Sequence, residues 1–230
     1  MGCMSLSTGQ RGKGAKVKMV LRVKKGEVKK YKGMVVAKGY SQVDGVDYDQ
    51  TFSPTLRFES IRQMVALGTA QGIDMHQMDV TTAFLYAPLE EEVYMEQPEG
   101  TGLLGNENTV MQLLKYLYGL KLSPRRRNIY IDTILKQLGF TRLKSDFGIY
   151  VKGEGEDTVY IALYVDDLFL VGRKLKKIKE VKDGFRAEFK MKDLEEARFL
   201  LGIEIRRQVN GDVLLVQERY ARDVVKQFSM

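Results

Sequence analysis

Tryptophan is absent from the 230-residue chain, and cysteine and histidine occur once each. A single cysteine, Cys3, excludes an internal disulfide, so the fold must rest on a packed core, and a reducing compartment is the default. A single histidine, His76, leaves no imidazole set for a zinc site or a His-based proton relay. The plainer expectation for His76 is a strand residue packed beside the core. Long apolar runs are also missing. The longest, residues 159–171, is split by Asp166 and Asp167, so no segment reads as a transmembrane helix. No basic-then-apolar leader precedes a cleavage site, so secretion is not expected. Met1-Gly2-Cys3 opens like an acylation signal, but Leu6 stands where that signal needs Ser or Thr.

What is present is ordinary for a folded chain: 44% hydrophobic and 29% charged residues, enough for one domain or two small subdomains. The net charge of +7 is unevenly placed. Residues 1–40 hold eleven Lys and Arg against one acid, Glu27; the remaining 190 are slightly acidic. A basic arm on a near-neutral body points to a polyanion, because lysines that neutralise phosphates release counterions. The plainer reading is a solvated tail. Residues 1–15, rich in Gly, Ser and Thr, read as a flexible lead-in. Gly9, Gly12 and Gly14 do not make a phosphate-binding loop, because Ser7 and Gly14 stand where that loop needs Gly and Ser or Thr.

Periodicity predicts a basic β-hairpin over 17–37 turning at 24–27, a loop over 42–51 and an amphipathic helix over 58–71 stopped by Gly72. Short strands follow at 75–80 and 93–95, with a turn-rich loop at 100–108. Ser123-Pro124 has the pattern of an N-cap followed by Pro at the first helical position. That predicts a helix to residue 138, with Ile129, Ile131, Ile134, Leu135 and Leu138 inward. Strands are predicted at 147–152, 158–164 and 168–171, then a helix over 174–190 whose lysines 174, 176, 177, 179 and 182 form a solvated face. Residues 199–207 and 213–217 read as a last hairpin turning at Asn210-Gly211, and 220–228 as a terminal helix. Met64, Met75, Met78, Met95 and Met111 read as core filler. Irregular mixing of strands and helices favours an α+β fold.

Two adjacent acids, Asp166 and Asp167, interrupt an otherwise apolar hairpin. Burying unpaired carboxylates costs several kcal/mol each, on the order of the penalty for a buried ion, and a divalent cation would offset it. Asp79 ends another strand. Acids on neighbouring strand ends suit two oxygen-bound cations of the kind used in phosphoryl transfer. An isolated Asp-Asp pair more often marks a solvated turn. Here three features weigh against that: the apolar hairpin, Tyr164 two places before Asp166, and the strand-ending Asp79 upstream.

Tyr164-Val165-Asp166-Asp167 resembles the Tyr-x-Asp-Asp box of reverse transcriptases. The likeness extends to residues 32–42 (KGMVVAKGYSQ), 51–62 (TFSPTLRFESIR), 76–85 (HQMDVTTAFL), 91–98 (EEVYMEQP), 117–125 (LYGLKLSPR) and 199–205 (FLLGIEI), in that order. Together they resemble the reverse transcriptase domain of copia-type LTR retrotransposon Pol polyproteins, from about Val17 onward. The resemblance implies a right-hand polymerase: fingers over about 16–60 and 87–122, a ferredoxin-like antiparallel palm sheet on helices over about 61–86 and 123–212, and only the start of a thumb at 213–230. It implies Asp79, Asp166 and Asp167 as catalytic residues, with Val80 beside them at two Mg²⁺ ions. Thr81, Thr82, Ala83, Phe84 and Lys38 would bind the deoxynucleoside triphosphate. Phe84 would lie under the sugar and exclude a 2′-hydroxyl. Tyr164, Ser123, Pro124, Arg125, Leu201 and Gly202 would meet an RNA template and a DNA or RNA primer. No membrane partner is implied; the location is cytoplasmic, in a virus-like particle, or nuclear.

Departures from the family pattern stand beside these matches. Leu122 replaces the usual Gln before Ser-Pro-Arg, Arg126-Arg127 replaces Gln-Trp, and Met34 replaces a basic residue. A charge where an aromatic anchor is usual costs burial if the position faces the core. Together with the chain's length and its Gly-rich start, these departures read as a truncated or degenerate copy. Two functions follow: an RNA-directed DNA polymerase, or a catalytically weakened nucleic-acid-binding remnant. A two-carboxylate glycosidase is disfavoured, since it needs neither an adjacent acid pair on a hairpin tip nor a basic arm.

Overall fold

The computed structural model describes residues 4–7, 15–24, 30–89, 91–97 and 110–228. In chain order the strands are β1 Met4–Ser7, β2 Val17–Lys24, β3 Lys30–Ala37, β4 Asp74–Val80, β5 Tyr94–Met95, β6 Val110–Leu113, β7 Thr141–Arg142, β8 Ile149–Lys152, β9 Val159–Tyr164, β10 Asp167–Gly172, β11 Met191–Glu196, β12 Phe199–Leu200, β13 Ile203–Arg207 and β14 Val213–Val216. The helices are α1 Phe58–Ala70, α2 Ser123–Gln137, α3 Leu175–Glu188 and α4 Glu218–Gln227. Helices and antiparallel sheets are mixed, an α+β fold. Among the described residues no helix is long and apolar enough to cross a membrane.

Two compact units divide the chain: Met1–Ser53 with Thr82–Ile131, and Pro54–Thr81 with Asp132–Met230. In the first unit the β2–β3 hairpin runs in continuous antiparallel register, from Val17 opposite Ala37 to Lys24 opposite Lys30. A second sheet has the order β1-β6-β5. The flexible lead-in expected at 1–15 is therefore interrupted by a strand. Met4-Ser5-Leu6-Ser7 alternates apolar and polar, a period-two pattern too short to stand out against its Gly-rich surroundings. Residues 1–3 and 8–14 lie outside the described residues, as do the predicted turn at 25–27 and the predicted loop at 100–108. The core of this unit gathers Ala37, Met95, Met111, Leu113, Tyr116, Leu117 and Leu120. Two glycines let its backbone close: a Cβ on Gly39 would sit 2.0 Å from the Gly119 carbonyl oxygen, and one on Gly119 2.0 Å from that of Ala37. Gly119 also holds φ +95°, a conformation that only glycine adopts without strain.

The second unit is built on a six-stranded antiparallel sheet of order β11-β4-β10-β9-β8-β7. Of its central strands, β9 (VYIALY) and β10 (LFLVG after Asp167) are nearly continuous apolar runs, while β4 (DMHQMDV) mixes apolar and polar residues. α1 packs on β4 and β10, and α3 on β10. The core holds Ile61, Met64, Val65, Met75, Ala162, Phe169 and Val171. The N-terminus of α1 is satisfied by Asp146, whose Oδ2 accepts the Arg57 N–H (3.1 Å) and the Ser60 hydroxyl (2.5 Å), while Oδ1 accepts the Gly148 N–H (2.8 Å). Burial works to raise the Asp146 pKa, but these donors outweigh it and hold the carboxyl below the ordinary range.

Several expectations need correction. β11 was not foreseen; its sequence, MKDLEE, is too polar and irregular to read as a strand, and Glu195 in the left-handed region (φ 57°) interrupts its register with β4. Residues 199–207 are not one strand. They fold back at Leu201-Gly202, both with positive φ, into the β12–β13 hairpin. The strand predicted at 147–152 begins at Ile149, after a turn that leaves Phe147 exposed. Ile129 is exposed while Ile131, Ile134 and Leu135 are buried. Ser123 lies inside the first turn of α2 and donates its hydroxyl to the Leu117 carbonyl (2.6 Å) instead of capping the helix. Lys182 is not part of a solvated face; it is buried. The five methionines expected in the core are all buried, and His76 lies on β4 as expected.

Candidate active site

The site grows from the register of two neighbouring strands in the second unit. β10 pairs antiparallel with β4 so that Asp167 stands opposite Asp79, Phe169 opposite Gln77 and Val171 opposite Met75. Opposed Cα atoms in such a ladder are about 4.5–5.5 Å apart, so Asp79 and Asp167 share one sheet face as close neighbours. One step on, the Val80 N–H donates to the Asp166 carbonyl (2.7 Å), which fixes the hairpin tip against the end of β4. Tyr164 pairs with Asp167 across β9 and β10, leaving Val165 and Asp166 as a two-residue turn. Val165 has φ 45°. A two-residue hairpin needs positive φ there, and glycine usually supplies it. A β-branched residue in that region stores roughly 1–3 kcal/mol of strain.

Like charges directly opposite each other on a sheet repel. Two neighbours temper this repulsion, and neither was read from the sequence. Lys192 on β11 is in register with Asp79, and its Nζ lies 3.9 Å from Asp79 Oδ2. Gln77 Nε2 donates to Asp167 Oδ1 (3.1 Å). Both could be found only once the β11–β4–β10 order was known, because nothing in local spacing links residues 77, 79, 167 and 192.

The opposite face of β4 is different in kind. Lys182 on α3 donates from Nζ to Asp193 Oδ1 (2.7 Å) and sits 2.9 Å from His76 Nδ1, while Arg186 donates to Asp193 Oδ2 (2.6 Å). Burial and then Lys182 push the His76 pKa down, so the ring is neutral at pH 7 and accepts from the ammonium. Burial acts to raise the Asp193 pKa, but Lys182 and the Glu195 N–H outweigh it and lower the value. This cluster docks β11 against α3 and takes the only imidazole out of reach of the carboxylates.

The side chains of metal-ligand type at the Asp79–Asp167 strand end are carboxylates, the donor chemistry that Mg²⁺ prefers, with the Lys192 ammonium and the Gln77 amide beside them. Two carboxylates are brought together by register and Asp166 is joined through its backbone. Among the described residues, no group of three or more His, Cys, Asp or Glu side chains is gathered as for a single ion. The donor set fits an oxygen-loving cation by kind, with Asp79 and Asp167 opposite each other in register.

The remaining candidates are placed as follows. Tyr164 ends β9, partly buried against the second unit's core, and Leu201 packs on the same core at the β12–β13 turn with Gly202. The Thr81 N–H already donates to the Lys190 carbonyl (2.9 Å), so that amide does not face a triphosphate in this geometry. In the first unit Thr82 holds φ 56° and accepts from the Leu85 N–H at the head of a 3₁₀ turn, Ala83–Tyr86. Ala83 and Phe84 are buried there, and Phe84 meets Tyr118 edge to face with centroids 4.5 Å apart. The Tyr118 carbonyl accepts the Ala37 N–H (2.8 Å), which brings the Phe84 segment close to the end of β3 and to Lys38. Arg125 spends its guanidinium on Gln50 Oε1 (2.8 Å) and the Phe52 carbonyl (3.3 Å), and Ser53 donates to the Pro124 carbonyl. Leu122 is partly buried on the first unit's core. Arg126 pairs with Glu91 (2.5 Å), and Arg127 is 5% exposed, so the altered anchor position does face the interior. Met34 is partly buried.

An acid pair at a strained hairpin tip thus stands opposite a third acid that ends the neighbouring strand. Residues 4–230 match the reverse transcriptase (RNA-dependent DNA polymerase) family, and the chain belongs to it. Its copia-type character shows in its relatives. It is 39% identical over 220 residues to the retrovirus-related Pol polyprotein from transposon TNT 1-94 of Nicotiana tabacum, covering 94% of this chain and 17% of that protein. It is 37% identical over 205 residues to the Pol polyprotein from transposon RE1 of Arabidopsis thaliana, covering 89% of this chain and 14% of that protein. A putative transposon Ty5-1 protein of Saccharomyces cerevisiae is 36% identical over 143 residues, 62% of this chain and 46% of that protein. The chain thus spans well under a fifth of the two plant polyproteins.

Proposed function

We propose that the chain performs RNA-templated nucleotidyl transfer from a deoxynucleoside triphosphate to a primer 3′-hydroxyl, with the second unit as palm and the first as fingers. The observation that carries this reading is the register of Asp79 opposite Asp167, beside Asp166, in a chain of the reverse transcriptase family. Asp79, Asp166 and Asp167, with Val80 at the end of β4, would hold the two Mg²⁺ ions, Asp167 adding electrostatic support to the other two. When bound, the ions supply activation of the primer hydroxyl and neutralisation of the leaving pyrophosphate.

The protein's own part is positioning. Asp79 and Asp167 hold negative charge at one strand end, fixed by a sheet and not by a loop. In this reading Phe84, braced by Tyr118, sits under the incoming sugar, where its ring excludes a 2′-hydroxyl. Thr82 and Ala83 present backbone to the triphosphate, and Lys38 adds positive charge. Ser123, Pro124 and Arg125 hold the segment beneath the template, while Tyr164 and the Leu201-Gly202 turn meet the primer. No covalent intermediate is needed.

Primer extension on an RNA template with Mg²⁺ tests the reading. Asp166→Asn is expected to lower incorporation by on the order of 10²–10³ or more, the range seen when one preorganised charge-stabilising group is removed. Incorporation that survives Asp166→Asn overturns it. Nucleic-acid binding that falls steeply with salt and yields no extension in the unaltered chain supports the remnant instead.

A further inference from the structure

Gln77 is a primary amide on a central strand, and it is 6% exposed. Its strand neighbours on the same face are Met75 and Asp79, and across the ladder Phe169 and Val171 extend the same apolar surface. An amide buried in such surroundings is destabilising unless it has a hydrogen-bond partner. Its Nε2 finds one at Asp167 Oδ1, 3.1 Å away. Gln77 and Asp167 are diagonal neighbours, two positions apart across the register, at the reach of a long side chain. A carboxylate can only accept, so the NH₂ end of the amide must face it.

The chemistry of the pair narrows what it does. A lysine at position 77 would neutralise Asp167, and a glutamate would repel it. A glutamine does neither. It fixes the rotation of the carboxyl group and leaves its full negative charge available to a cation. Asp167 follows directly on the strained Val165-Asp166 turn, and Gln77 ties it to the interior of β4.

We propose that Gln77 is a positioning residue for Asp167: its buried amide orients the carboxylate for cation binding and nucleotidyl transfer without discharging it. The proposal rests on the reading of Asp79, Asp166 and Asp167 given above. Outer-shell partners of metal-binding groups are typically worth 10–100-fold in metal affinity or activity.

The test uses the 230-residue chain and its Gln77→Met variant, which keeps the volume and removes the amide. Gln77→Asn, too short to span the gap, is the second variant should the first fail to fold. Two measurements are made: the Mn²⁺ concentration at half-maximal thermal stabilisation, and kcat and KM for the nucleotide in primer extension. The expected result is a roughly tenfold or greater rise in the Mn²⁺ midpoint. With it goes a roughly ten- to hundredfold loss of kcat, with the nucleotide KM within about threefold. A variant with a lower melting temperature but an unchanged Mn²⁺ midpoint and kcat overturns the proposal and leaves the reading of the aspartates intact. A wild-type chain with neither Mn²⁺-dependent stabilisation nor extension overturns that reading, and the proposal with it.

Discussion

Replacing Lys182 with methionine removes the ammonium that ties α3 to β11 and keeps most of the apolar stem. Lys182 Nζ is buried between Asp193 Oδ1 at 2.7 Å and His76 Nδ1 at 2.9 Å. Removing one partner of a buried ion pair typically costs about 3–5 kcal/mol, because the other charge is left behind. Asp193 is better protected than that case. It keeps Arg186 at 2.6 Å and the Glu195 N–H at 2.9 Å, and its side chain is 23% exposed. The expected loss is therefore roughly 2–3 kcal/mol, below the full cost of an uncompensated buried charge. For a chain of this size that lowers the melting temperature by about 4–12 °C. Asp193→Leu added to Lys182→Met should recover part of the loss, since it removes the stranded carboxylate. Thermal melting of the single and double variants checks both. A single variant melting within about 1 °C of the unaltered chain, or a double variant whose losses simply add, refutes the clamp.

Other outcomes follow from particular atoms. Val165→Gly should raise stability by roughly 0.5–2 kcal/mol, strain relieved less the added chain entropy of glycine, measured by urea denaturation. Gly119→Ala should cost more than about 3 kcal/mol, because its methyl would meet the Ala37 carbonyl oxygen at 2.0 Å in a left-handed backbone; soluble yield and melting report it. Asp146→Asn should cost roughly 1–3 kcal/mol at pH 7. The folded pKa of Asp146 lies below its ordinary value, so its stabilisation is complete above that value and is lost as the pH falls through the folded one. Denaturation curves at pH 7 and pH 3 should therefore show the gap between the two proteins closing on acidification.

The apolar hairpin of β9 and β10, the strand ending at Asp79 and the helix α1 were legible because long periodic runs and a Gly stop carry their own signal. What stayed hidden depends on pairing at a distance. β11 is an edge strand in which four of the six residues are charged, and only its register with β4 makes Lys192 a neighbour of Asp79. The Leu201-Gly202 turn was missed because a leucine in the left-handed region leaves no mark in the sequence. Lys182 shared the spacing of its exposed fellow lysines, and its burial follows from Asp193, eleven residues on and in another element. Gln77 was similarly invisible, since an amide next to apolar residues says nothing about which carboxylate it will meet. The family likeness named the three aspartates, and the sheet supplied the neighbours that hold two of them.

Both strands that carry those aspartates lie inside the six-stranded sheet, flanked on each side by another strand. Their backbone amides therefore exchange with solvent only when the whole sheet opens, while the Val165-Asp166 tip alone can flicker locally. The Asp79–Asp167 register is therefore lost on heating only at the global unfolding transition, while chemistry that needs Asp166 can fail at or below it, so inactivation should never lag behind melting.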